Sequence, residues 1–236
     1  LFRSKDGEIK DRFKKLDAVF EMSEHFFFRH YVEDGNDIHT DEFLERFNAT
    51  YQKIYDAIPE NIPFSNIWIA KTLAPLLIEN SVLHLGVLNS IRSWNMFKIP
   101  SSICGYANVG GFGIDGGMSS MIGSSFIHPN KVFYGIFGDL AFFYDMNSIA
   151  NRHIGNNLRI MLINNGRGTE FRNYNHPGAR FGNEADKYIA AAGHYGGKSP
   201  FLVKHYAEDL GFKYLSASNK EEFMKIYQEF LTPDMS

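Results

Sequence analysis

Two short polar motifs, each directly after an apolar run, are the residues of this sequence best suited to chemistry. Gly138-Asp139 follows the apolar run 132–137, and the pair Asn164-Asn165 follows the run 158–163. A carboxylate, an amide oxygen and nearby backbone carbonyls form a hard oxygen site, of the kind that holds Mg²⁺ or Ca²⁺ with a phosphorylated ligand. The simpler interpretation is a Gly-Asp turn and an unrelated Asn-Asn-Gly turn.

The elements around these motifs indicate that both lie at one edge of a parallel sheet. Runs 132–137 and 158–163 are short and bounded by turn residues, which is typical of buried strands. Between them, segment 142–153 carries apolar residues at helical spacing. Strand, helix and strand in this order predict parallel strands joined by a right-handed crossover. The carboxyl ends of such strands share the edge where open α/β folds bind ligands, which favours the metal site over two unrelated turns.

A glycine-rich loop is a further candidate binding element. Residues 108–117 contain five glycines in ten positions. Glycine lets the backbone approach a ligand closely, and the loop leads into a predicted helix at Met118 whose N-terminus can cradle an anion. A flexible loop without a ligand is the alternative, and the glycines alone do not decide between the two. The Gly-x-x-x-x-Gly-Lys-Ser/Thr motif of a P-loop is not present.

The composition predicts a globular α/β protein. A length of 236 residues, 44% hydrophobic, suits one large domain with an appendage. A net charge of −3 argues against a nucleic-acid partner, and no apolar run approaches the roughly 20 residues of a membrane span. The single cysteine, Cys104, is expected to be a small buried residue, and its isolation fits a reducing cytoplasm. The sequence starts at Leu1 and reads as a piece of a longer protein.

The predicted fold class is α/β, with a doubly wound, mostly parallel sheet and helices on both faces. Residues 1–36 are interpreted as the remnant of a preceding domain with a linker, and residues 37–236 as the main domain. Ser65 is the predicted N-cap of one helix. Further helices are predicted at 11–20, 41–58, 200–210 and 220–231, and further strands at 81–87 and 212–217.

The two halves of the sheet-edge motif resemble a known family. Gly138-Asp139, followed by Asn164-Asn165, resembles the diphosphate-binding motif of thiamine diphosphate (ThDP) enzymes. Gly113-Ile114-Asp115-Gly116 after Ala107-Asn108 resembles the segment that grips the rings of this cofactor. With residues 6–22 and 138–145, the chain is similar in particular to the succinyl-enolpyruvyl-hydroxycyclohexene-carboxylate synthases of menaquinone biosynthesis. The resemblance implies ThDP and Mg²⁺ as cofactors and a ThDP-binding fold for residues 37–236, the C-terminal diphosphate-binding domain.

The resemblance also implies roles for individual residues. The side chains of Asp139 and Asn165 and the backbone carbonyl of Arg167 would ligate Mg²⁺. Ile114 would bend the cofactor, and the carbonyl of Phe112 would accept a hydrogen bond from its amino group. The full set of implied cofactor-binding residues is Phe112, Gly113, Ile114, Asp115, Gly138, Asp139, Leu140, Ala141 and Asn165.

The implied function is that of a transferase or lyase. Such an enzyme decarboxylates a 2-oxo acid, with or without transfer of the resulting acyl carbanion to an acceptor. The glutamate that activates the cofactor belongs to a pyrimidine-binding domain of the same or another chain, in a homodimer or homotetramer, and is assigned to no residue here. The isolated chain is therefore expected to be inactive. The alternatives are a non-catalytic module with the ThDP fold and a nucleotide-binding α/β protein.

The substrate pocket departs from the resemblance at two positions. Val109 stands where these synthases have an arginine, and Leu88 where they have a serine, whereas the substrate-binding arginine is retained as Arg92. Loss of a guanidinium from a carboxylate site is not conservative, so an altered substrate is expected. A polar loop after the second motif, with Arg167, Arg172, His176 and Arg180, would either contact an acidic substrate or remain solvated.

Overall fold

The computed structural model describes residues 2–4, 9, 11, 13–33, 41–111, 113–189 and 199–233. The chain folds into two compact units, Leu1–Ala57 and Ile58–Ser236. The two compact units meet between Ala57 and Ile58. The boundary predicted between residues 36 and 37 separates a remnant of a preceding domain from the main domain, and it stays a prediction.

The described residues of the first unit form two short strands and two helices. Strand β1, Phe2–Ser4, pairs in parallel with β2, Val19–Glu21, and helices α1, Glu24–Glu33, and α2, Glu42–Asp56, follow. The predicted helix at 11–20 is wrong. The Asp11 carboxylate accepts hydrogen bonds from the backbone of Lys15 and Leu16, which forms a local turn, and Val19 and Phe20 join the strand pair.

The second unit is built on a four-stranded parallel sheet, which confirms the predicted α/β class. Its strand order is β4-β3-β5-β6. The strands are β3, Val82–Leu85, β4, Cys104–Ala107, β5, Phe133–Gly138, and β6, Leu158–Ile163. The helices are α3, Asn66–Leu73, α4, Asn89–Trp94, α5, Gly117–Ile127, α6, Asp139–Asp145, α7, Asp186–Ile189, α8, Leu202–Asp209, and α9, Lys220–Phe230.

Apolar side chains cover both faces of this sheet, as a doubly wound fold requires. Leu83 and Tyr134 pack into a first layer formed largely by α3, α4 and α9. Val82 and Phe133, their neighbours along the strands, pack into a second layer with α5 and α6. Because successive strand residues point to opposite faces, both layers draw on the same short strands.

Helix ends follow the signals in the sequence. The Ser65 hydroxyl accepts a hydrogen bond from the Trp68 N–H at 3.3 Å, which confirms the predicted cap of α3. Asn219 caps α9 in the same way, accepting from the Glu222 N–H at 2.9 Å. Gly211, with a φ of +83°, follows α8 in the left-handed conformation that ends many helices.

Three local predictions differ from the structure. The helix predicted at 142–153 begins earlier, at Asp139, and gives way after Asp145 to a 3₁₀ turn, Met146–Ala150, in which the Ser148 hydroxyl donates to the Asp145 carbonyl. The predicted strand at 212–217 is wrong, because this segment crosses from the second layer at Phe212 to the first at Ala217. Cys104 is exposed rather than buried, because β4 is an edge strand.

Candidate functional site

Asp139 connects the two polar motifs at the carboxyl edge of the sheet. It begins α6 directly after β5, and only 2% of its surface is exposed. Its Oδ2 accepts a hydrogen bond from the Gly166 N–H at 2.6 Å, and its Oδ1 accepts one from the Leu140 N–H at 2.7 Å. The carboxylate therefore contacts the turn that contains Asn165, across 27 positions of sequence.

The electrostatics of Asp139 favour a bound cation. Burial raises the pKa of its carboxyl group, and the hydrogen bonds from the backbone of Gly166, Leu140 and Asn165 lower it. Among the residues that the structure describes, no Lys, Arg or His forms an ion pair with it. An ionised carboxylate in such a place is costly unless a counter-charge reaches it.

The turn after β6 supplies neutral oxygens. The Asn165 Oδ1 accepts a hydrogen bond from the Arg167 N–H at 3.0 Å, and Gly166 has a φ of +66°, a conformation that favours glycine. An amide oxygen carries two lone pairs, so Asn165 can accept here and still ligate a cation. No cluster of three or more His, Cys, Asp or Glu suited to a metal occurs within the described ranges, so this donor set has one acidic member. Such a set fits Mg²⁺ that shares its shell with phosphate oxygens.

The glycine-rich loop lies at the same edge of the sheet, two strands away from β5. It follows β4, and because neighbouring strands are about 4.8 Å apart, its start lies about 10 Å from the end of β5. The Asn108 side chain closes the loop by donating to the Asp115 carbonyl at 3.2 Å, and Ile114 is half-buried within it. A Cβ on Gly113 would lie against the carboxylate of Asp115, so a larger residue here would have to displace that side chain. Phe112 lies outside the described residues.

The N-terminus of α5 already holds an anionic group. The Asp145 Oδ2 accepts a hydrogen bond from the Ser119 N–H at 2.7 Å, in the first turn of this helix. A carboxylate of the chain therefore lies at the helix N-terminus that the sequence offered to an anion. This contact ties the end of α6 to the start of α5.

The structure also shows the surroundings of other residues predicted at the cofactor site and the substrate pocket. A Cβ on Gly138 would meet no atom within 4 Å, so space is open beside Asp139, and Leu140 and Ala141 are half-buried on α6. Leu88 precedes α4 with a φ of +71°, which is strained for a residue with a side chain. Val109 is 46% exposed in the loop after β4.

The arginines after the second motif mostly have partners within the chain. Arg172 forms an ion pair with Asp186, and the Arg180 guanidinium lies 4.7 Å from the centre of the Phe181 ring. The His176 Nδ1 accepts a hydrogen bond from the Gly178 N–H at 2.9 Å. These contacts favour a structured loop over a free basic surface.

Sequence reasoning missed the partner of Arg92. The Arg92 guanidinium binds both carboxylate oxygens of Glu170, with Nη2 to Oε1 at 3.4 Å, and the Asn89 amide donates to the Thr169 hydroxyl. The only signal was an acidic residue shortly after the Asn-Asn-Gly turn. Because 78 positions separate Arg92 from Glu170, sequence spacing did not connect them.

Comparison with curated proteins found relatives along almost the whole chain. It is 30% identical over 236 residues to the 2-succinyl-5-enolpyruvyl-6-hydroxy-3-cyclohexene-1-carboxylate synthase of Bacteroides thetaiotaomicron, covering 98% of this chain and 39% of the relative. The synthase of Phocaeicola vulgatus is 31% identical, and the match covers 97% of this chain and 39% of the relative. The synthase of Flavobacterium psychrophilum is 34% identical over 165 residues, and the match covers 69% of this chain and 30% of the relative. No protein-family model matches the chain.

These relatives confirm the resemblance to this group of synthases. The match to the synthases of this group covers up to 98% of this chain. The chain itself spans only about 40% of the length of those relatives. Within the described ranges, no helix is both long enough and apolar enough to cross a membrane.

Proposed function

We propose that this chain is the diphosphate-binding domain of a ThDP- and Mg²⁺-dependent enzyme that decarboxylates a 2-oxo acid, with or without transfer of the acyl unit to an acceptor. The observation that carries the proposal is the 2.6 Å hydrogen bond from the Gly166 N–H to the Asp139 carboxylate. It joins the two halves of the motif at one point of the sheet edge. The similarity to curated synthases supports the same function.

In this proposal the carboxylate of Asp139, the amide oxygen of Asn165 and the carbonyl of Arg167 hold the metal. Asp139 supplies the only negative charge of the set, and the hydrogen bonds from Gly166 and Leu140 fix its orientation. When bound, ThDP supplies the electron sink for decarboxylation, and the protein supplies binding and orientation.

The glycine-rich loop holds the rings of the cofactor in this proposal. Ile114 is the apolar contact that sets the bend of the ligand, and the backbone beside Gly113 and at Phe112 offers hydrogen-bonding groups. The bond from Asn108 to the Asp115 carbonyl at 3.2 Å closes this loop before the ligand arrives. A closed loop loses less conformational entropy on binding than an open one.

The catalytic site is completed by a pyrimidine-binding domain from the remainder of the protein or from another subunit. The activating glutamate comes from that domain, and no residue of this chain is assigned the role. The relatives are about two and a half times as long as this chain, which leaves room for such a domain in a longer protein.

The direct test uses the full-length protein with Mg²⁺, ThDP and a panel of 2-oxo acids, and follows CO₂ release. We expect release that requires both cofactors, and none after substitution of Asp139. A protein that binds ATP or NAD in preference to ThDP would instead be the nucleotide-binding alternative. Absence of any ThDP binding at saturating Mg²⁺ would favour the non-catalytic module.

A further inference from the structure

A short segment of the chain connects the turn after β6 to α4, beside the candidate site. We define it as the strap, the 3₁₀ turn Thr169–Arg172 that follows the metal-site turn after β6. The strap contacts α4, which follows β3. In the sheet, β3 and β6 lie on either side of β5, about 10 Å apart. A contact between the segments that leave β3 and β6 therefore spans the width of β5, at the edge of the sheet where Asp139 lies.

Two polar contacts hold the strap to α4. The Asn89 amide donates to the Thr169 hydroxyl, and the Arg92 guanidinium binds the Glu170 carboxylate through two nitrogens. The Asn173 amide adds a third donor to Glu170 at 3.0 Å. Glu170 is thus held on both sides, and its carboxylate takes the position at Arg92 that a ligand carboxylate would need.

The Arg92 guanidinium would otherwise be a good site for an anionic ligand. Its side chain is 53% exposed, whereas that of Glu170 is 24% exposed. A guanidinium pairs with a carboxylate in a planar, two-bond geometry that an uncharged group cannot match. A carboxylate tethered to the same chain has an effective concentration on the order of millimolar or higher, so a free carboxylate competes poorly with it.

We propose that Glu170 is a specificity-determining residue, which occupies Arg92 and so excludes carboxylate ligands from this part of the site. The inference rests on the proposed function and deepens it, because a substrate must then be uncharged where it meets Arg92. Val109, in the neighbouring loop, adds no positive charge that could recover a carboxylate.

The test measures binding of succinate, and of uncharged succinamide, to the full-length protein by calorimetry without ThDP or Mg²⁺. The variants are Glu170→Gln, the double variant Glu170→Gln with Arg92→Gln, and the control Glu184→Gln. Glu184 pairs with Lys187 on an exposed surface, so its substitution removes the same charge outside the strap.

We expect Glu170→Gln to bind succinate at least about tenfold more tightly than the unmodified protein, because Arg92 is released. The gain should be absent with succinamide, in Glu184→Gln and in the double variant. Equal succinate affinity in Glu170→Gln and the unmodified protein, or a gain that survives in the double variant, would overturn the proposal.

A second variant keeps the test decisive if Glu170→Gln does not fold. Asn89→Ala removes the other strap contact and leaves both charges in place, so we expect a smaller gain in succinate affinity. No gain in this variant would then overturn the proposal. Because the titrations contain no ThDP, they are independent of the cofactor. Failure of ThDP to bind would refute the proposed function, whereas failure of the succinate gain would refute only the role of Glu170.

Discussion

His84 is the residue whose burial has the clearest consequence for pH dependence. It is 7% exposed on β3, and its ring packs beside those of Tyr106 and Phe133. Burial lowers the pKa of His84 from 6.5 to about 4. The folded protein therefore holds this imidazole neutral at pH values where the same side chain is already protonated in the unfolded state.

We expect the free energy of unfolding to fall as the pH drops from 6.5 to 4, because the unfolded state binds the additional proton in this range. The loss of unfolding free energy due to His84 should be roughly 3 kcal/mol, because each unit between its two pKa values contributes about 1.4 kcal/mol. Urea titrations across this range measure it. His84→Phe should remove most of the loss, whereas His153→Phe, at an exposed histidine, should not. Equal acid sensitivity of the two variants would contradict the assignment.

The polar residues of the site were predicted better than their contacts. Asp139 and Asn165 stand at strand ends, where sequence patterns are informative, and the structure brings their turns together. The pair Arg92–Glu170 was missed, because Arg92 was assigned to the substrate and Glu170 alone reads as an ordinary surface charge. Only the strand order, which places β3 and β6 on either side of β5, brings them together.

At the scale of elements, α5 packs closely on β5 at Gly135. A Cβ at this position would lie 2.5 Å from Phe137 Cε2 and 2.6 Å from Met121 Sδ. We expect Gly135→Ala to lower the free energy of unfolding by about 1–3 kcal/mol, because the neighbouring side chains must shift. Urea denaturation measures the change.

Gly123 provides the matched control within α5. A Cβ there would meet no atom within 4 Å, and the position is helical. Gly123→Ala should therefore raise the free energy of unfolding by about 0.5–1 kcal/mol, through helix propensity. Loss of stability in Gly123→Ala equal to that in Gly135→Ala would show that the packing at β5 is not the cause.

Helix α9 depends on a cap at its N-terminus. Asn219 accepts from the Glu222 N–H at 2.9 Å, and the Glu222 carboxylate accepts from the Ser218 N–H at 2.6 Å. We expect Asn219→Ala to cost about 1 kcal/mol of stability, measured by thermal unfolding, and Asn219→Gly to cost only a few tenths. Lys225→Ala, on the exposed surface of the same helix, is the control. A cost for the control as large as that for Asn219→Ala would argue against the cap.

The elements were predictable where an apolar run ended at a clear turn signal, as at β3, β5 and β6. The prediction of helices and strands failed where particular contacts override the spacing of apolar residues in the sequence. The Asp11 turn replaces an expected helix, and the crossing of segment 212–217 between the two layers replaces an expected strand. Helical or alternating spacing does not report such tertiary contacts.

At the scale of the whole molecule, the chain supplies one side of the proposed site. It spans about 40% of the length of its curated relatives, and the activating glutamate is assigned to a separate domain. We therefore expect the isolated chain to release no CO₂ from 2-oxo acids under conditions in which the full-length protein does. Steady turnover by the isolated chain would refute this division of roles.

The most direct test of the central claim is calorimetric titration of the full-length protein with ThDP, with and without Mg²⁺. We expect binding that requires Mg²⁺ and that weakens more than about 100-fold in Asp139→Asn, because loss of an outer-sphere partner alone costs 10–100-fold. Asp209→Asn, which removes an exposed carboxylate at the end of α8, should bind as the unmodified protein does. Unchanged, Mg²⁺-dependent ThDP affinity in Asp139→Asn would contradict the site described here.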